Sequence, residues 1–460
     1  MALLLVSIDN TIVNVALPDI RLELGASLQS LQWIVGAYVL ALGSLLLLAG
    51  SLADRMGRKR IFTAGLAIFT GASACAALAP DEGVLVAFRA VQVAGGAMMT
   101  PVALTIVSTV FTAPGARARA VGWWGAVSGI GIAVGPLLGG PLIDWFGWRS
   151  VFWVNVPLGL AAILLTTRFV PDSKPAHPRQ LDPLAQVFVI GLLGSIAFAV
   201  IRFPLDGVAA STAVATVIGV TCGFALAAWE RRRTDPLVDI RVFRDRVFTA
   251  SFSAAFLSFF AFAGLLFANT MLLQTDQGLT ATAAAIVTLP LAAAVIATGP
   301  LSGKLVARGR AQGTVFVSGW VFVVAGVGFS VAASLPVWLV AVPLAIFGVG
   351  FGLLNDPINV AAVSELPPDR AGMGAATMSS AKQVGQLFGV SVIGAALSLL
   401  GRTASPTDGA VANVVICGAL CVTGVGVVLT SLLWRRDGAP WGDQRTQRQR
   451  RETRPGGQLA

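Results

Sequence analysis

Long apolar runs, broken at short intervals by clusters of charge, dominate the chain. A helix that crosses a bilayer needs about 20 apolar residues at roughly 1.5 Å of rise each. On that scale the runs predict fourteen membrane-spanning helices, at 2–17, 31–53, 61–80, 84–111, 120–143, 149–170, 184–203, 209–229, 247–273, 281–303, 313–333, 336–362, 373–400 and 410–434. Glycine and proline inside the runs do not disqualify them, because neighbouring helices can re-satisfy freed backbone groups. The first run is short. It opens at Met1 without a basic segment and meets Pro18, so the helix is expected to stop there and the true start is expected upstream. A signal peptide would have a charged start, whereas here the start is uncharged and the run continues through Asp9 and Asn10.

The polar positions set the orientation. Most of the 32 Lys and Arg lie in alternate loops, in clusters such as Arg55, Arg58, Lys59 and Arg60 or Arg231, Arg232 and Arg233, and in the tail from Arg435. The opposite loops hold only Arg21, Arg149, Arg202 and Arg402. Cytoplasmic loops collect positive charge, so both termini are expected in the cytoplasm. Composition then excludes several classes of function. Apolar residues make up 56% of the chain and charged ones 12%, against about 25% charge in soluble domains. An all-α integral membrane protein follows, with no room for a second polar domain. The net charge of +10 is spread over loops and tail as topology signals are, so no nucleic-acid partner is expected. Cys75, Cys222, Cys417 and Cys421 sit in apolar runs, which argues against a disulfide framework. His177 is the only histidine, leaving nothing from which to build a histidine metal site or a catalytic triad. Neither enzyme activity nor a cofactor is expected. No G-x-x-x-x-G-K-[ST] loop is present, so the energy source must be a gradient.

Three local patterns rise above bulk hydrophobicity. Gly50-Ser-Leu-Ala-Asp54-Arg55-Met-Gly57-Arg58-Lys59-Arg60 joins the second and third runs. Positive-inside charge explains its basic residues, but not Asp54 at a helix end between Gly50 and Gly57. The fifth run contains Gly131, Gly135, Pro136, Gly139 and Gly140. Its glycines at 131, 135 and 139 share one face, which lets a neighbouring helix approach closely. The first run carries Asp9-Asn10-Thr11-Ile-Val-Asn14-Val-Ala-Leu-Pro18.

The first string resembles the signature loop of the major facilitator superfamily, with a fainter echo from Gly299 to Arg310. The second resembles the antiporter motif of drug-exporting facilitators. The third is similar to the first-helix motif of the fourteen-span EmrB/QacA-type drug:proton antiporters, as are Trp148–Pro157 and Pro236–Phe243. The resemblance implies the major facilitator fold, with a six-helix bundle at 1–170 and another at 247–434. It also implies a 171–246 linker carrying two extra helices; a basic cytoplasmic tail at 435–460 completes the chain. Two departures stand out. Val93 follows Gln92 where the family has glycine, and Lys382 stands where it commonly has arginine.

Ionisable groups at membrane depth are costly and mark function by default. Four are expected there: Asp9, Arg89, Asp356 and Lys382. Asp9 and Arg89 lie at similar depth, roughly 12 Å and 8 Å from the outer surface at helical rise. Asp9 is expected to couple transport to protons with Arg89 as its modulator, the alternative being a cap or a structural ion pair. Asn14, Gln92, Asp356 and Lys382 are candidates for the substrate cavity, with a local cap equally open for Asp356. The resemblance implies a monomeric exporter in a bacterial cytoplasmic membrane, exchanging protons for lipophilic compounds, cations among them. An importer of the same fold is the nearest rival, with a membrane enzyme or sensor further off.

Overall fold

The computed structural model describes residues 1–110, 131, 134–170, 182–207, 209–233, 240–332, 336–364, 371–400 and 410–434. Helices account for the regular structure there. They are α1 (Ala2–Leu24), α2 (Leu28–Met56), α3 (Arg58–Ala77), α4 (Glu82–Val110), α5 (134–146), α6 (Ser150–Trp153) and α7 (Asn155–Phe169). Then follow α8 (Pro183–Asp206), α9 (Ala210–Glu230), α10 (Arg246–Thr270), α11 (Ala281–Ala307), α12 (Ala311–Ala332), α13 (Ala341–Ser364), α14 (Ala371–Leu400) and α15 (Ala410–Leu433). His177 and the tail 435–460 lie outside the described residues.

The first helix corrects the sequence expectation. Pro18 does not end α1, which runs on to Leu24 and so has 23 residues. Proline removes one helix donor and crowds the carbonyl four residues back. Next to that carbonyl, Gln274 Nε2 donates to the oxygen of Val15 at 3.0 Å, an example of a neighbour satisfying a disturbed turn. The helix stops at Gly25, whose φ of 63° suits a residue without Cβ.

Twelve helices among the described residues are long and apolar enough to cross a membrane. The expected fourteen are therefore not reached there. The expected span at 31–53 corresponds to α2, a helix of 29 residues. The one at 120–143 falls largely outside the described residues, and α5 contains its part from 134 onward.

Helices α1–α7 pack as one half and α10–α15 as the other, with α3 on α4 and α2 on α4 in the first, α10 on α14 and α11 on α13 in the second. Each half has its own apolar core. Leu66, Phe69 and Val93 centre one, and the stacked rings of Phe262, Phe351, Phe347 and Phe322 the other. A third cluster joins the halves, bringing Ile12 and Phe152 together with Phe267, Met271 and Ala281. In α1 and α10, 78% and 72% of the most apolar stretch is buried, against 22% and 17% in α8 and α9. The first helix of each half is thus innermost and the α8–α9 hairpin is peripheral. α8 rests on α2 and α14, where the halves meet. Val214, Val217 and Phe224 on α9 stay exposed, an arrangement suited to lipid rather than water.

The hairpin is pinned at one end by Asp182. Its carboxylate caps α8 through the N–H of Ala185 at 3.0 Å and accepts from Trp229 Nε1 at 2.9 Å and Arg233 Nε at 3.1 Å. Burial pushes this acid upward, but the three donors and the Arg233 charge outweigh it and hold it below the usual aspartate range. A lowered acid contributes stability above its unfolded value, and that contribution is lost as pH falls through the folded value. Acidification is therefore expected to speed hydrogen exchange in the first turn of α8. Asp182→Ala should do the same at neutral pH, at a cost of about 1 kcal/mol, measured by exchange mass spectrometry.

Candidate functional site

Asp9 sits one third of the way along α1, fully buried, and α4 brings Arg89 and Gln92 against it from successive turns. Arg89 Nη1 donates to Asp9 Oδ2 at 2.6 Å and to Gln92 Oε1 at 2.7 Å. Two amides complete the cradle at Asp9 Oδ1, Gln92 Nε2 and Asn155 Nδ2, both at 2.9 Å. The same two nitrogens reach Ser73 Oγ on α3 at 3.0 Å, and Ser73 donates to the carbonyl of Phe152 at 3.1 Å. Arg89 also lies 4.3 Å from the ring centre of Tyr38, and its Nε donates to the Ile34 carbonyl at 3.4 Å. Asp9, Arg89, Gln92, Ser73 and Asn155 all have 1% exposure or less, so this is a buried ion pair whose carboxylate accepts from one guanidinium and two amide nitrogens. Such a pair is held by its hydrogen bonds, since desolvation opposes the Coulomb attraction.

Why α1 can lie so deep follows from the glycine face of the fifth span. A Cβ on Gly131 would stand 2.5 Å from Ser7 Cβ, one on Gly135 3.1 Å from the Ile12 nitrogen, and one on Gly139 2.7 Å from Ile12 Cγ1. The neighbour admitted by this face is α1, on the two turns that flank Asp9. Gly140 turns elsewhere: its Cβ would meet the Cα of Thr282 in α11 at 2.7 Å. Pro136 lines a small cleft between the halves with Thr11, Asn14, Asn269, Thr288 and Gln274.

Other sequence-derived candidates occupy separate places. Gln92, expected at a substrate cavity, is fully buried on Asp9. Asn14 donates to the Asn10 carbonyl at 3.0 Å and lines the small cleft. Gly57, at φ 105°, makes the turn between α2 and α3, and Asp54 meets Arg58 across it at 3.3 Å. Gly50 has open space about it, Arg55 is exposed, and Lys59 Nζ donates to the Thr167 carbonyl at 2.8 Å. In the other half, Pro357 lies inside a continuous α13, so Asp356 does not cap a broken helix. Lys382 Nζ donates to Asn359 Oδ1 at 2.9 Å and lies 5.2 Å from the Phe259 ring centre, with Asp356 close enough to interact electrostatically.

Two functional features escaped the sequence. Ser73 and Asn155 carry no charge and sit in other runs, so only folding shows that they share Asp9; Asn155 lay within a motif, but its partner was not readable. Asp144, just past the expected fifth span, accepts from the Ala281 and Thr282 N–H groups at the start of α11, both at 3.1 Å. It joins the halves at the Leu24 end of the bundle. Gln32 does so too, donating to the Val390 and Ser391 carbonyls at 3.3 and 3.0 Å, while Asn10 donates to Gln386 at 3.2 Å and joins the halves near mid-helix.

Known proteins share this architecture. The D-xylose-proton symporter structure superposes with a TM-score of 0.66, covering 96% of this chain and 97% of that one at 12% identity. Sequence likeness is closer to multidrug resistance protein Stp of Mycobacterium tuberculosis, 34% identical over 399 residues, 86% of this chain and 74% of Stp. The puromycin resistance protein pur8 of Streptomyces alboniger is 34% identical over 448 residues, 94% of this chain and 89% of pur8. Residues 1–390 match the Major Facilitator Superfamily. A two-halved helical membrane bundle, a glycine-bracketed signature turn and this match agree, and the chain belongs to the Major Facilitator Superfamily of membrane transporters.

Proposed function

We propose that the protein is a proton-coupled exporter of lipophilic, including cationic, drugs, of the fourteen-span EmrB/QacA type. The observation that carries the coupling is the buried Asp9–Arg89 pair at 2.6 Å. An exchangeable acid in a transporter needs a partner that stabilises its ionised form, and a bilayer interior is a place where an unpaired charge is costly. Resistance functions in the names of Stp and pur8 support export. Fourteen crossings are supported by α2 and α5, which add to the twelve apolar helices. In this reading 1–170 and 247–434 are the two transport bundles, 171–246 carries the extra pair, and 435–460 is a basic tail. The protein acts as a monomer in a bacterial cytoplasmic membrane with both termini inside, as the charge of alternate loops supports.

The Leu24 end then faces outward and is closed by the ties of Asp144 and Gln32. When the halves rock to open that end, a proton reaches Asp9 and releases Arg89 from its counter-ion. When they open to the cytoplasm, the proton leaves and the pair re-forms as the drug is loaded. Gly50, Asp54, Arg55, Gly57 and Arg58 serve as the cytoplasmic switch, and Asn14, Asp356 and Lys382 as polar groups on the drug's path. Uptake of an externally added fluorescent lipophilic cation into inverted vesicles with an acid interior tests the coupling. Asp9→Asn is expected to remove pH-gradient-driven movement while leaving protein levels unchanged, and full gradient-driven transport by that variant would sink the coupling role.

A further inference from the structure

The geometry points to Asn155 as a positioning residue that serves both states of Asp9, holding the carboxylate with its amide N–H and receiving the acid proton on its amide oxygen. This rests on the proton-coupling role proposed above for Asp9. Ser73 is the reason the amides can be oriented. Its single hydroxyl proton goes to the Phe152 carbonyl, 3.1 Å away, so toward Gln92 and Asn155 it can only accept. Both amides therefore present nitrogen to Ser73 and, with the same nitrogen, to Asp9 Oδ1.

The two amide oxygens then have different fates. Gln92 Oε1 is held by Arg89 at 2.7 Å. Asn155 Oδ1 is buried and has no hydrogen-bond partner among the described residues. A buried acceptor left unmet costs about 1–3 kcal/mol, and nothing about the ionised state requires it. The neutral state does. A protonated Asp9 would offer its O–H to a cradle made only of donors: the Arg89 guanidinium and two amide nitrogens. A half-turn of the Asn155 amide about its broad terminal torsion brings Oδ1 to Asp9 and supplies the missing acceptor. Gln92 cannot do this while Arg89 holds its oxygen.

The balance is simple. A proton from water adds to Asp9 Oδ1, the new O–H donates to Asn155 Oδ1, and the amide N–H leaves both Asp9 and Ser73. On release the proton returns to water and the amide turns back.

Infrared difference spectra of the purified full-length protein in lipid vesicles, recorded through a pH titration, test this. Wild type is expected to show a carboxylic-acid C=O band that Asp9→Asn removes. In Asn155→Leu that band should move to the higher frequency of a carboxyl without its hydrogen bond. In Ser73→Ala, which frees the amide to keep its oxygen on Asp9, the band should hold its frequency. An Asp9 band unmoved in Asn155→Leu overturns the assignment, as does one unmoved in Asn155→Ala should the leucine variant not fold. Failure of the coupling role would show separately, as transport that survives Asp9→Asn.

Discussion

Arg89→Leu is expected to abolish transport and to lower the stability of the amino-terminal half by about 3–5 kcal/mol, the cost of leaving one member of a buried ion pair uncompensated. Asp9 would keep its two amide donors but lose the 2.6 Å bond to Nη1, and Gln92 Oε1 would be left unmet. Tyr38 would lose the cation stacked 4.3 Å over its ring. Arg89→Lys keeps the charge and should recover part of the stability. It should not recover transport, because an ammonium cannot span Asp9, Gln92 and the Ile34 carbonyl as the guanidinium fork does. The decisive comparison is the double variant Asp9→Leu with Arg89→Leu. Removing both charges should restore thermal stability toward that of the wild type in a detergent melt while transport stays absent. A double variant no more stable than Arg89→Leu alone would show that the pair is not what couples these two positions.

Gly135→Val should reduce transport by about 100-fold, the scale of loss when reacting or coupling groups are displaced by about 1 Å. Its new Cβ alone would lie 2.0 Å from Thr11 Oγ1, 3.0 Å from Thr11 Cβ and 3.1 Å from the Ile12 nitrogen. The hydroxyl can turn away, but the Ile12 backbone cannot, so α1 must retreat. Asp9 lies two residues from Thr11, and its bonds to Arg89, Gln92 and Asn155 are all 2.9 Å or shorter. They do not survive a retreat of that size. Overpacking of this kind also costs about 1–3 kcal/mol. Gly71→Ala is the control: a Cβ there meets nothing within 4 Å, and its efflux should match wild type. Efflux rates normalised to membrane protein level decide the matter, and wild-type rates from Gly135→Val would show that the glycine face is not what seats α1.

The legibility of this chain varied with the range of the interaction involved. Helix existence was readable because about 20 apolar residues are needed whatever the neighbours do. Helix ends were less so. Pro18 looked like a terminus because its local cost is certain, whereas the compensating donor, Gln274, lies 256 residues away along the chain in the other half and comes to 3.0 Å of Val15 only through folding. The glycines at 131, 135 and 139 announced a close neighbour by their spacing alone, but which helix they admit was decided by tertiary packing.

The same division holds at the site. Asp9 and Arg89 stood out by sequence because a charge in an apolar run is conspicuous and expensive. Asp54 and Gly57 stood out because a tight turn restricts which residues fit. Sequence by itself thus determined that the chain is a helical membrane protein, where its costly groups lie and what kind of turn joins α2 to α3. Only the tertiary structure decided that Gln92 belongs to Asp9, that neutral Ser73 and Asn155 complete its cradle, and that Asp144 ties the halves at the start of α11. The reason is physical. Hydrophobicity and charge are properties of single residues and short windows, whereas a hydrogen bond of neutral side chains has meaning only once helices from different parts of the chain have been brought within 3 Å of one another.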